Sequence, residues 1–298
     1  MTATERLHDN SLPRYLPHVQ HPDVLQMGLQ PLQPSRWIEP DDDWVRYYSN
    51  KCAQRQSLGE CVYRAPPASH AAQVELAGIL REHLCTEYAS LYRREGDGLI
   101  YLPEGERLPA PGHEPLWHCS LWVADDLVIL QALDGHYALT AASLACPSAW
   151  RLEEKFGEPL ASIHAPIPGF NRELTPRVTR FLNHLKPQQP VQRLNWSLQT
   201  TADLCQRVPR APAEGADTPL FYRCERQTLR RLPGSGAIVF TIRVYVHPLD
   251  TLQAFEGAGA ALFAAVEKTA PEMAQYKGFD RIAPALANYR RRWTVASQ

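Results

Sequence analysis

Residues 222–246 read "YRCERQTLRRLPGSGAIVFTIRVYV". The run "AIVFTIRVYV" (237–246) is β-branched and aromatic, and "PGSG" (233–236) ahead of it carries turn chemistry, so the stretch is expected to form a β-hairpin. Alternation in the first strand puts Arg223, Glu225 and Gln227 on one face. The other face holds Tyr222, Cys224, Arg226, Thr228 and Arg230. Two readings follow. The strand is solvent-facing, with loosely paired charges worth little each. Or, because the second strand is so apolar, one charged face lies inside the protein, where it needs partners or a ligand.

Working outward, "RLNWSL" (193–198) alternates Leu194, Trp196 and Leu198 against Arg193, Asn195 and Ser197, the pattern of a strand with one buried face. "LWVADDLVILQALDGHYAL" (121–139) reads as two strands, with Asp134-Gly135 as the turn between them. The clearest helix is "SHAAQVELAGILREHLCTEYASLYRRE" (69–95). Val74, Ala77, Leu80, Leu84, Tyr88 and Leu91 recur on one face, and Ser69 stands at the N-cap position. "PSAWRLEEKFG" (147–157) predicts a short helix opened by Ser148 and closed by Gly157. Helices are also expected over 172–185, 252–269 and 281–293. Strands at 120–140 and 193–246, with helices before, between and after, predict an α+β fold: an antiparallel sheet with helices packed on one side.

Composition narrows the function. The chain has 298 residues, 44% of them hydrophobic, and a net charge of −1. That suffices for a large buried core and gives no reason to expect nucleic acid as a partner. No apolar run reaches the roughly 18 residues a membrane span needs, and the first 21 residues lack the apolar core of a signal peptide, so a cytoplasmic protein is expected. The seven cysteines are scattered, without C-x-x-C or zinc spacing, and read as reduced thiols. There is no G-x-G-x-x-G after a strand, no phosphate loop and no G-x-S-x-G elbow.

His164 stands out among the 11 histidines. It lies in "IHAPIPGFN" (163–171), whose two prolines predict an irregular, extended segment ahead of a helix, able to hold one imidazole in a fixed direction. Lys155 and Arg193, taken alone, read as solvated residues of a helix and a strand, and Trp196 as core.

In order along the chain, "MGLQPL" (27–32), "PSAWRLEEKFGEPLASIHAPIPG" (147–169), "RLNWS" (193–197) and "RCERQTLRRLPGSGAIVFTIRVY" (223–245) resemble the family of the haem-dependent oxidative N-demethylase α subunit. The resemblance implies a PAS-like antiparallel sheet whose helices enclose haem b, with residues 1–35 as an N-terminal extension and 36–298 as one haem-binding domain. It implies oxidation of a small secondary amine such as dimethylamine, with O2 and electrons from NADPH, to a primary amine and formaldehyde. FMN, an iron–sulfur centre, NADPH and tetrahydrofolate are then expected on reductase and folate-binding partner subunits. By the same resemblance His164 is the axial iron ligand. Glu225 holds the amine, Arg223 and Gln227 donate hydrogen bonds toward oxygen, and Arg226, Lys155, Asn195 and Trp196 contact the haem. A haem-based gas or redox sensor is the alternative, because a PAS-like fold does not dictate catalysis.

Overall fold

The computed structural model describes residues 10–20, 27–208, 213 and 215–296. Parts of the expected N-terminal extension (1–9 and 21–26) and of the proline-rich loop before the hairpin (209–212 and 214) lie outside the described residues. Ten strands form two sheets. The first five are β1 (Gln30–Pro31), β2 (Tyr63–Arg64), β3 (Tyr92–Glu95), β4 (Gly98–Tyr101) and β5 (Glu106–Leu108). They are followed by β6 (Asp126–Leu133), β7 (His136–Ser143), β8 (Val191–Gln199), β9 (Phe221–Arg231) and β10 (Ile238–Pro248). The main sheet is antiparallel, in the order β1-β8-β9-β10-β6-β7-β2, and β3-β4-β5 form a small separate sheet.

The expected hairpin is present as β9 and β10, paired from Arg231↔Ile238 to Phe221↔Pro248. Its turn is held from outside by Glu75, whose carboxylate accepts the Gly234 and Ser235 N–H groups at 2.6 and 2.7 Å. The β6–β7 turn is also as expected: Asp134 and Gly135 both have positive φ (49° and 80°), which a two-residue hairpin turn of this hand requires.

Eleven helices are described: α1 (Pro17–Gln20), α2 (Trp44–Leu58), α3 (His70–Glu87), α4 (Pro115–Ser120), α5 (Leu152–Lys155) and α6 (Leu160–His164). Then come α7 (Phe170–Glu173), α8 (Thr175–His184), α9 (Ala258–Lys268), α10 (Pro271–Lys277) and α11 (Ala283–Ala296). They cover both faces of the main sheet, not one. Leu127 and Ile129 of β6, with Val239 of β10, pack against Leu76 and Leu80 of α3 and Leu116 of α4. On the same side Trp196, Tyr222, Cys224 and Tyr245 meet Leu262 of α9 and Tyr289 of α11. The alternate residues Val128, Leu130 and Ile238 pack the other way, against Leu152 of α5, Ile163 of α6 and Leu182 of α8. Periodicity finds helices and strands but does not say on which face a connecting segment lies.

Local departures from expectation have local causes. Val74 of α3 is half exposed while Leu76, Ala77, Leu80 and Leu84 carry the buried face. Ser69 occupies the N-cap position without capping, because its hydroxyl donates to Pro66 O (2.8 Å) and accepts from Gln73 Nε2 (2.8 Å). The short helix near 150 starts at Leu152, not after Ser148, which instead bridges to Gln206. His164 ends a helix rather than lying in an extended loop. Both prolines of "APIPG" follow it, and Pro159 precedes the helix, so no residue in 160–164 lacks an N–H.

Outside the hairpin, the buried Lys51 is satisfied by backbone. Lys51 Nζ donates to the carbonyls of Ser120 (2.6 Å), Val123 (2.9 Å) and Asp125 (2.6 Å). Burial pushes its pKa down, but three acceptors for three protons are the set an ammonium needs and a neutral amine cannot fill.

Candidate functional site

Strand register assembles the site. Across β9, Arg223 is opposite Ser197 of β8 and Val246 of β10, Glu225 opposite Asn195 and Val244, and Gln227 opposite Arg193 and Ile242. Directly opposed residues point to one side. That side therefore carries a polar half on β8 and β9 next to an apolar half on β10. α5, α6 and α8 pack over its Ile238–Ile242 end, and Tyr47 of α2 with Cys146 and Leu204 over Val244 and Val246.

Glu225 is the hub. One carboxylate oxygen accepts from Arg223 Nε at 3.0 Å, the other from Gln227 Nε2 at 3.0 Å and Asn195 Nδ2 at 3.4 Å. Burial works against its charge. The Arg223 guanidinium, backed by Lys277 and the Asn195 amide, outweighs burial and holds the carboxyl below the usual carboxylate range. Arg223 itself is fully buried, and its other two nitrogens donate to Leu204 O (3.0 Å) and Cys146 O (2.5 Å). Each of its three nitrogens is thus engaged, with Glu225 or with a loop carbonyl. It is part of the wall behind the carboxylate, not a donor facing open space.

His164 Nδ1 lies 2.8 Å from Leu160 O. A carbonyl can only accept, so Nδ1 carries the proton and Nε2 keeps its lone pair. The ring stacks on Phe170 at 4.2 Å and 7°. Burial lowers its pKa; the Leu160 carbonyl opposes this, and the Arg193 and Lys155 charges lower it further. The imidazole is neutral, oriented and ready to ligate through Nε2.

Cover over this side is incomplete at the middle of the sheet. On β10, Val239, Thr241, Arg243 and Tyr245 on one face are buried, whereas Phe240 and Ile242 on the other are only partly so; Gln227 and Leu229 of β9 match them. Leu160, Val178, Phe181, Leu229, Phe240 and Ile242 form the fringe of one apolar layer built on Ile163, Leu182 and Val191. Half-covered aromatic and aliphatic side chains on a central strand leave apolar surface open between sheet and helices. A neutral imidazole with a bare Nε2, an apolar layer and the cations Arg193 and Lys155 are what haem requires of a protein: an axial ligand, contact for the macrocycle and charge for the propionates.

Not every sequence-predicted residue is in this place. Arg226 and Trp196 point to the opposite face. Arg226 donates to Trp37 O (3.1 Å), Arg36 O (2.6 Å) and Gln192 Oε1 (3.1 Å), and pairs with Glu39 at 3.3 Å. Trp196 stacks between Tyr222 and Phe279. Neither is brought together with Lys155 or His164. Arg230 lies over the Trp37 ring at 4.5 Å on the same opposite face. Arg226 is therefore structural, satisfied by carbonyls, Gln192 and Glu39, whereas the buried Arg230 Nε has no hydrogen-bond partner among the described residues.

Residues 28–287 match the family described as "Haem-dependent oxidative N-demethylase, alpha subunit-like". The chain belongs to this family. The name of this N-demethylase family carries haem dependence and oxidoreductase chemistry, and "alpha subunit" implies other subunits. Among the described residues of this N-demethylase-family chain, no helix is long and apolar enough to cross a membrane. The residue that sequence reasoning missed altogether is Lys277 of α10, whose Nζ reaches Asn195 Oδ1 at 2.9 Å across 82 residues of chain. No local pattern signals such a contact. Arg193 was visible only as a solvated strand residue; its position opposite Gln227 places it on the site side.

Proposed function

We propose that this chain binds haem b in a recess between α6 and the β8–β9–β10 face and catalyses oxidative N-demethylation of a small secondary amine, with dimethylamine as the reference substrate. The balanced reaction is dimethylamine, O2, NADPH and a proton giving methylamine, formaldehyde, NADP+ and water. The observation that carries the reading is a neutral, oriented His164, its Nε2 unprotonated, on the covered side of a sheet face that presents one ionised carboxylate, in a chain of this family.

His164 Nε2 would hold the haem iron. Arg193 and Lys155 put positive charge beside His164, which suits the two propionates. Bound haem supplies the activation of O2 and the acceptance of electrons, which no side chain here can perform. The protein's own contribution is placement and charge. A secondary amine is a cation at neutral pH. Glu225 has donors on both oxygens but, with about four lone-pair sites, can still accept one N–H from that cation. Gln227 and Asn195 fix the carboxylate plane, and Arg223 keeps it ionised. The partly buried apolar side chains Phe240 and Ile242 exclude water and favour a small alkyl amine over a hydrated ion. In this reading the protein is cytoplasmic, and FMN, the iron–sulfur centre, NADPH and tetrahydrofolate sit on partner subunits that deliver electrons and take up formaldehyde.

Reconstitution tests this: haem-loaded protein, a flavin–iron–sulfur reductase, NADPH and dimethylamine should release formaldehyde. No product above the haem-free control would sink the proposal.

A further inference from the structure

Among the described residues β8 has a strand on its outer side only at Val191 and Gln192, where β1 pairs with it. Beyond that point the outer side is reached by Lys277, the last residue of α10. Its Nζ donates to Trp196 O at 2.8 Å and to Asn195 Oδ1 at 2.9 Å. A lysine only donates. The Asn195 oxygen must therefore face Lys277, and the amide NH2 is left to face Glu225, 3.4 Å away. Were the amide turned over, its oxygen would meet the carboxylate and the two would repel.

We propose that Lys277 is a positioning residue for Glu225: by holding the oxygen of the Asn195 amide it aims the amide nitrogen at the carboxylate, and so keeps Glu225 ionised and oriented toward the recess. The contact stands independently of what occupies the recess; only its consequence for turnover rests on Glu225 holding the amine. The charged groups facing Lys277 are Glu225 from β9 and Arg193 from β8, with Tyr276 beside it on α10 also under the influence of Glu225. Burial lowers the Lys277 pKa to about 8, Glu225 opposing and Arg193 adding to the shift. The ammonium is thus held at neutral pH against a desolvation cost, which a lysine with no electrostatic task would avoid by reaching into water.

The test is a direct titration of Glu225 in protein carrying 13C-carboxyl glutamate, reduced under carbon monoxide so that any haem is diamagnetic, with the resonance assigned by its loss in Glu225→Gln. In Lys277→Met the Glu225 pKa should rise by about one unit, a tenfold change in ionisation equilibrium. Lys277→Arg should restore most of it, and Asn195→Asp, which sets a second carboxylate against the first, should raise it further. In haem-loaded Lys277→Met, dimethylammonium should bind about twofold more weakly at a pH equal to the shifted value, the loss approaching tenfold only below the native one. A Glu225 titration that is unchanged in Lys277→Met overturns the inference whatever the activity. A shifted titration in a protein that neither binds nor turns over amine upholds it and removes the demethylase reading instead.

Discussion

Replacing Glu225 by glutamine tests the site's electrostatics most severely, because the substitution keeps shape and removes charge. In the native protein three donors converge on the carboxylate: Arg223 Nε, Gln227 Nε2 and Asn195 Nδ2. A glutamine offers one oxygen to these three, and its own NH2 is turned against whichever donors remain. Arg223 is left as a fully buried cation with only the Leu204 and Cys146 carbonyls. Breaking a buried ion pair costs about 3–5 kcal/mol, and the two remaining carbonyls reduce that. The expected loss is about 2–4 kcal/mol, or roughly 5–15 °C in Tm at about 2–4 °C per kcal/mol for a large domain. The pH dependence follows from the depressed pKa of Glu225. Its stabilisation is fully present above the unfolded value of about 4.3 and is lost as pH falls through the lower folded value. The gap between wild type and variant should therefore narrow in acid. Urea denaturation at pH 7 and near pH 3.5 measures both, with Soret absorbance recorded alongside. Turnover should fall far more than haem binding. A variant as stable as wild type at pH 7, or a gap that persists unchanged in acid, would refute the three-donor description.

Three further outcomes are expected. His164→Ala should abolish or grossly shift the Soret band while the haem-free protein still folds, since the imidazole's contacts here are one backbone carbonyl and the Phe170 ring; an unchanged spectrum would mean that another residue ligates the iron. Lys277 has a folded pKa near 8 against about 10.5 unfolded, so the unfolded chain binds more protons between these values and wild-type stability should rise with pH from about 8 to 10. Lys277→Met should lack that rise, of about 1–3 kcal/mol, when denaturation is compared at pH 7.5 and 9.5. Arg226→Met should cost about 2–3 kcal/mol by leaving two carbonyls without a donor and removing one partner of Glu39, which keeps Arg14, Arg36 and Tyr15, yet leave the Soret position of the soluble fraction unchanged; a moved band would place Arg226 in contact with the haem after all.

Much of this site is legible in the chain. The hairpin's alternation by itself places Arg223, Glu225 and Gln227 on one side, because a strand's side-chain period is two whatever surrounds it. The motif series 147–169, 193–197 and 223–245 likewise points to haem-dependent demethylation. The setting of His164 was not legible: the imidazole is oriented by a helical i→i−4 bond to Leu160, where an extended segment was expected.

What the sequence by itself determined is membership of faces and elements: which residues alternate, where turns fall, which family the order of motifs resembles. Those follow from backbone sterics and local periodicity, which act within a few residues. Only the tertiary structure decided what covers each face. It set α5, α6 and α8 over one end of the Glu225 side and α3, α9 and α11 over the opposite side, spent the Arg226 donors on Trp37 and Arg36, locked Arg223 behind the carboxylate, and brought Lys277 to Asn195. These contacts join residues tens to nearly two hundred positions apart. Their energies come from desolvation and pairing in the packed interior, where a charge's role is set by the atoms packed against it rather than by its neighbours in the chain.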